Sequence, residues 1–312
     1  MAVINGQGTT FNLPNFVGEI FALTPTETPF LSAIGGLTGG MRTSSKEFAF
    51  QDFSLPAPAQ PVNQLEGQNA PPPSEIDRAQ VFNVVQIFHE TLEISYTKQA
   101  ATGNISGQSI LGNQPVMNEV DWQTQRKLEI IARNIEYTFL NGVFSNPATN
   151  VNPGRQTRGL LQAITTNVVD GTGSTDFKTT FNSLLLEMFT NGAPFGANTV
   201  IITNGFQKQQ ISNAYGYAPE DRNIGGVNIN QIETDFGRFG VMLDRYMPAD
   251  TIVLADLSVC SPVFLEIPGK GFLFREELAR VGAAFKYQIY GEVGLESGPE
   301  LFHGKITGLP TT

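Results

Sequence analysis

Nucleophilic and metal chemistry lean on histidine and cysteine, and this chain of 312 residues has only His89, His303 and Cys260 to offer. A structural zinc site wants four such ligands and a catalytic one usually three. His89-Glu90 is not followed by the second histidine of a zinc-protease helix. Gly103, Ser106 and Gly107 have the wrong spacing for a serine elbow. Gly269-Lys270-Gly271 lacks both the upstream glycine and the hydroxyl residue of a P-loop. Gly171-Thr172-Gly173 precedes a helix, but Asp176 stands at the third-glycine position and would repel a phosphate, so a turn leading into the helix is expected. The sequon at Asn104 and Ser106 has no role without secretion, and neighbours such as Glu276 and Glu277 are too generic for acid–base roles. The sequence predicts no catalytic residue, no cofactor and no metal.

Composition narrows the class further. Hydrophobic residues make up 40% of the chain and charged residues only 15%, below the roughly 25% usual for soluble domains. A subunit that hides surface against neighbours can do with less charge; a Gly- and Asn-rich β protein with ordinary loops would read the same way. The formal net charge is −10, and Arg42 is the first cation. Tight nucleic-acid binding needs clustered cations to displace counterions, so it is not expected. One cysteine excludes an intrachain disulfide. With neither a signal peptide nor a membrane span in view, the expectation is a soluble chain made in the cytoplasm.

The elements come next. Residues 1–42 read as an extended arm, in which Phe16, Ile20 and Leu23 have helical spacing before Pro25 and Pro29 end any helix. The segment fits an arm laid on a larger body or a helix tucked on its own domain. Residues 45–55 and 79–97 are strand-like, with Phe48, Phe50 and also Phe53 read on one side of the first. The Pro-rich stretch between them can form neither helix nor central strand. The result is a long hairpin that is marginal alone and needs another surface. Residues 115–141 give the clearest helix, about 40 Å long, with Leu128, Ile131, Ile135 and Phe139 on its apolar stripe and Arg126, Glu129, Arg133 and Glu136 on a solvated face. An α/β segment follows the loop at 145–158. It has helices over 176–191 and 205–215 and strands at 199–203, 227–233, 240–243, 251–256, 262–267, 283–296 and 305–309.

In order along the chain, Ala22 to Gly35 (ALTPTETPFLSAIG), Asn83 to Ala100, Arg155 to Ile164, Asp244 to Asp256 (DRYMPADTIVLAD) and Tyr290 to Leu309 resemble the SU-ten-like subgroup of tailed-bacteriophage major capsid proteins. The resemblance implies the α+β Hong Kong 97-like fold. Its parts would be an N-terminal arm (1–42), an E-loop hairpin (43–98), a peripheral domain with its spine helix (99–158), an axial domain (159–260) and a return to the peripheral domain (261–312).

The resemblance further implies a structural subunit and not an enzyme. It would self-assemble into pentamers and hexamers of an icosahedral head, found in the virion and assembled in the host cytoplasm. It would enclose double-stranded DNA loosely, the acidic charge either repelling the genome mildly or simply keeping the free subunit soluble. Expected partners are other copies, a separate scaffolding protein, a portal and decoration proteins. Inter-subunit contact is assigned to Phe16, Ile20 and Phe30 in the arm and to Phe48, Phe50, Phe53, Phe82, Ile87 and Phe88 in the E-loop. Some capsids of this fold join an E-loop lysine to a late asparagine; here Lys46 is available but no asparagine follows Asn230, so no such bond is expected. The alternatives are an encapsulin-type nanocompartment of the same fold, a carboxylate enzyme with faint sequence signals, and a secreted fibre.

Overall fold

Two sheets and a separate ribbon carry the architecture. The structure is a computed structural model that describes residues 24–60, 65–70, 72, 74–97, 119–149, 151, 154–174, 176–215 and 231–311. In the first sheet β12 (Ala284–Glu296) pairs antiparallel with β4 (Gln86–Ser95) along one edge. Along its other edge it pairs with β11 (Leu273–Glu277) and β10 (Ser261–Leu265), and β1 (Met41–Thr43) joins β10 in parallel. The second sheet has the order β5 (Val168–Asp170), β13 (Gly304–Thr307), β9 (Ile252–Asp256), β6 (Thr199–Thr203), β8 (Gly237–Leu243) and β7 (Gln231–Thr234). The ribbon consists of β2 (Glu47–Phe53) and β3 (Arg78–Val84), antiparallel and paired with neither sheet among the described residues.

Helix α2 (Glu119–Asn141) lies on the first sheet. Its Ile131, Ile135 and Phe139 pack with Phe88, Leu92 and Ile94 of β4 and with Ile289 and Val293 of β12. Alternate residues of β4 face that core and the rest face out, as expected for a half-buried strand. After the short α3 (Leu160–Ala163), α4 (Phe177–Thr190) and α5 (Gly205–Tyr215) lie on the second sheet, with Phe181, Leu184, Leu185, Met188 and Ile211 buried against it. Strands β6 and β9 are covered on both faces. Ile201, Ile252 and Leu254 meet the α4–α5 core, whereas Ile202, Val253 and Ala255 meet the core under α2. That is why TVIIT and IVLAD read as unbroken apolar runs.

Several expectations need correction. The strand expected over 79–97 divides at Val85, and its second half belongs to the first sheet, so the free hairpin is shorter than 43–98. β13 crosses to the second sheet, pairing β5 and β9, so not all of 261–312 returns to the unit built on β12. Pro29 also opens a helix of its own, α1 (Pro29–Ala33), where its missing N–H costs nothing, while the helical spacing of Phe16, Ile20 and Leu23 lies outside the described residues. Phe53 lies on the opposite side of β2 from Phe48 and Phe50, because strand side chains alternate. Glu136 is not solvated but fully buried. The wall it faces is α1, a short element that the stripe on α2 gave no reason to expect.

Candidate assembly surface

At its base the ribbon is fastened to the body by Asn83. The Asn83 amide donates to the Leu295 carbonyl (2.7 Å) and the Arg158 carbonyl (3.2 Å), and its oxygen accepts from the N–H groups of Arg158 (2.8 Å) and Val84 (2.9 Å). Every hydrogen-bonding position of the side chain is therefore used. Phe48 closes the same joint by packing on Gly294. A Cβ there would come within 2.6 Å of the Phe48 ring and 2.8 Å of the Val84 carbonyl, so only glycine fits. Val85 N–H donates back to the Lys46 carbonyl (3.0 Å), completing the hinge.

Beyond the hinge the two sides of the ribbon differ. The inner side carries Phe50, Asp52 and Val81 over a cleft of about 600 Å³ whose other wall includes Phe144, Arg158, Gln162 and Glu300. The outer side carries Phe53 and Phe82, 65% and 51% exposed, and the connection between the strands exposes Leu55, Leu65 and Ile76. Of the residues assigned to contacts from sequence, Phe16 and Ile20 lie outside the described residues. Phe30 and Phe88 are buried in the subunit's own core and have no surface left for a neighbour. Phe48 and Phe50 turn toward the subunit's own body. Phe53, Phe82 and Ile87 remain exposed.

The arm segment is fastened by a charged group. Helix α1 has no side-chain cap of its own. Its free N–H groups at Phe30 and Leu31 donate instead to the two oxygens of Glu136, at 2.7 and 2.6 Å. Burial, with the Asp244 carboxyl alongside, pushes the Glu136 carboxyl up to about 8. No sequence signal marked this pairing, because the partners lie more than a hundred residues apart.

The residues screened for chemistry turn out to hold the fold. His303 is buried, its Nδ1 accepting from Asp256 N–H (3.2 Å) and its Nε2 sitting 2.6 Å from the Ser297 carbonyl; burial lowers its pKa. Burial pushes the Cys260 thiol up, away from reactivity. His89 meets the Tyr290 ring edge-on. Asp176 caps α4 through Lys178 N–H (3.0 Å), and Lys270 is paired with Glu276 at 2.8 Å. The serine of the rejected elbow, Ser106, lies outside the described residues. No group of three or more acidic, His or Cys side chains suited to a metal occurs among the described residues, and no helix there is long and apolar enough to cross a membrane.

The model of the SU10 major capsid protein family matches residues 3–310. Among solved structures, the capsid of cyanophage A-1(L) superposes with a TM-score of 0.68 at 13% identity, covering 97% of this chain and 99% of that one. The capsid of a native GTA particle gives 0.65 at 12% identity, covering 99% of both. The SrpI encapsulin of Synechococcus elongatus gives 0.56 at 11% identity, covering 96% of this chain and 93% of that one. No curated relative matches the chain.

Proposed function

From the premise that the chain belongs to the SU10 major capsid protein family and is a major capsid subunit with the Hong Kong 97-like fold, we propose that its copies close into pentamers and hexamers of an icosahedral phage head around double-stranded DNA, the ribbon of each lying on a neighbour. The observation that carries the ribbon's role is its outer side. Phe53 and Phe82 stand exposed on a two-stranded element whose connection adds Leu55, Leu65 and Ile76. A lone hairpin is marginal in water, and burying each phenylalanine contributes about 1.5–3 kcal/mol. Such a gain recurs at every copy in a closed shell.

In this reading residues 1–42 are the arm, and the ribbon with its connection is the E-loop. The first sheet with α2 forms the peripheral part and most of the second sheet the axial part. A scaffolding protein and a portal complete the partners, with decoration proteins a further candidate. The subunit acts as wall material and performs no reaction. DNA is enclosed without being gripped, which the net charge of −10 favours.

The test is the paired substitution Phe53→Ser and Phe82→Ser. It should leave the subunit's circular dichroism and melting unchanged while negative-stain microscopy finds no closed shells. Normal shells from this variant would overturn the ribbon contact. The encapsulin likeness supports a second reading, a compartment around a cargo enzyme. Purified particles holding an enzyme, with no DNA and no portal, would decide for it.

A further inference from the structure

The joint between the arm segment, α2 and the end of β8 buries two acids with no cation bound to either among the described residues. Glu136 is fully buried, and each of its oxygens already accepts a backbone N–H, from Phe30 and from Leu31. Asp244, fully buried just after β8, uses Oδ1 to accept Tyr246 N–H (2.8 Å). Its Oδ2 is buried with no donor among the described residues, and the Glu136 carboxyl lies within hydrogen-bonding reach of the Asp244 side chain. Two carboxylate oxygens cannot hydrogen-bond without a proton, and two adjacent like charges out of water repel strongly.

Among the described residues, the surroundings supply no other way to neutralise them. Helix α1 carries no titratable side chain, and Glu27 ahead of it is exposed and paired with Arg245 at 3.1 Å. On α2 the cation one turn away, Arg133, directs Nε to the Tyr246 hydroxyl (2.9 Å). Asn141 of the same helix donates to the Tyr246 carbonyl (2.9 Å). Across α2, the first sheet presents Glu90, bound to Lys127 at 2.8 Å, and Glu292, bound to Arg155 at 2.9 Å. Tyr137 is exposed.

We infer that Glu136 and Asp244 share one proton and form an acid latch that ties the arm segment to α2 and to the second sheet, and that loss of this proton releases the segment. With the proton in place every buried oxygen of the pair has a partner, and α1 is capped from a distant helix. Without it, two buried carboxylates face each other at the joint, and the cheapest relief is for α1 to lift and admit water. The folded joint binds a proton that the unfolded chain, with ordinary carboxyls, has already given up in neutral solution. The contribution is therefore full below the ordinary carboxylate range, declines above it, and is lost as pH rises through about 8. Opening on the alkaline side, not the acid side, is the signature.

Hydrogen exchange on the full-length unassembled subunit tests this, with intrinsic rates corrected for pH. Protection of the amides of Phe30 and Leu31 should fall by up to about tenfold per pH unit between the ordinary carboxylate range and about 8 and level off above it, while amides of β9 stay protected. Asp244→Asn supplies a permanent N–H donor to Glu136 and should abolish the fall. A wild-type profile that is flat, or one that Asp244→Asn does not change, would overturn the latch. Should the variant fail to fold, infrared spectroscopy of the wild type decides instead. A protonated-carboxyl band present at neutral pH and gone at alkaline pH is expected, and its absence at neutral pH rules the shared proton out.

Discussion

An imidazole whose two nitrogens are both committed has no place for a second proton. Protonating Nδ1 of His303 would set one N–H against the Asp256 N–H it now accepts from, and burial already disfavours the charge. Below about 6.5 the unfolded chain takes up a proton that the folded one refuses. His303's share of the subunit's stability should therefore drop as pH falls from 7 toward 5, opposing the Glu136 contribution that grows over the same range. His303→Leu should flatten that dependence while costing about 1–3 kcal/mol, because the Asp256 N–H and Ser297 carbonyl lose their partner. Equilibrium unfolding across that range checks both. Phe88→Ala belongs to the same scale: its ring is in the subunit's own core, so the loss should be about 3–5 kcal/mol of subunit stability, read in urea without any shell present. Buried acids and aromatics of this kind are the least legible part of the sequence. Glu136 has the composition of a solvated helix face, and only the arrival of α1 from elsewhere in the chain makes it a cap.

Elements whose partners are local were legible almost to the residue. β6 at Thr199–Thr203 and α5 at Gly205–Tyr215 coincide with the sequence reading, because an apolar run and the turn after it fix both. β4 was not legible as a separate strand. No glycine or proline marks the break at Val85, and what separates β4 from β3 is a choice of partner: β12 for one and β2 for the other. The same distinction explains why the sequence located the hairpin but not which of its sides faces out. That side is set by the hinge at Asn83 and Gly294, and the hinge makes its own prediction. Gly294→Ala forces the Phe48 ring or the Val84 carbonyl to move, at a cost of about 1–3 kcal/mol for overpacking. Because the strain falls on the ribbon's base, hydrogen exchange in β2 and β3 should rise while α4 and α5 are unaffected. Uniform loosening of the molecule would argue against a hinge at this point.

At the scale of the whole molecule, the two sheets are one fabric. β6 and β9 lend one face to each core, and β13 returns from the first unit to close the second sheet. In the proposed shell a subunit so cross-braced would present the ribbon to its neighbours from a braced base, and the question is whether that contact is sealed covalently. The ribbon offers little to seal. Lys46 stands at its base and not its tip, with its amine 3.5 Å from the Glu47 carboxylate. The stretch from Glu47 to Val84 contains no lysine, and no asparagine follows Asn230. An amide bond between side chains needs an amine that reaches a carboxamide across the interface, and the sequence supplies neither a lysine in the ribbon beyond its base nor an asparagine late in the chain. Mature particles boiled in detergent should therefore run as a single monomer band, and Lys46→Arg should leave shell yield and heat resistance unchanged. Ladders of cross-linked subunits that vanish in Lys46→Arg would show a covalent lock built from another acceptor. A plain monomer band would leave buried apolar contact such as that at Phe53 and Phe82 to hold the shell, and shell stability should then weaken on cooling, as hydrophobic association does.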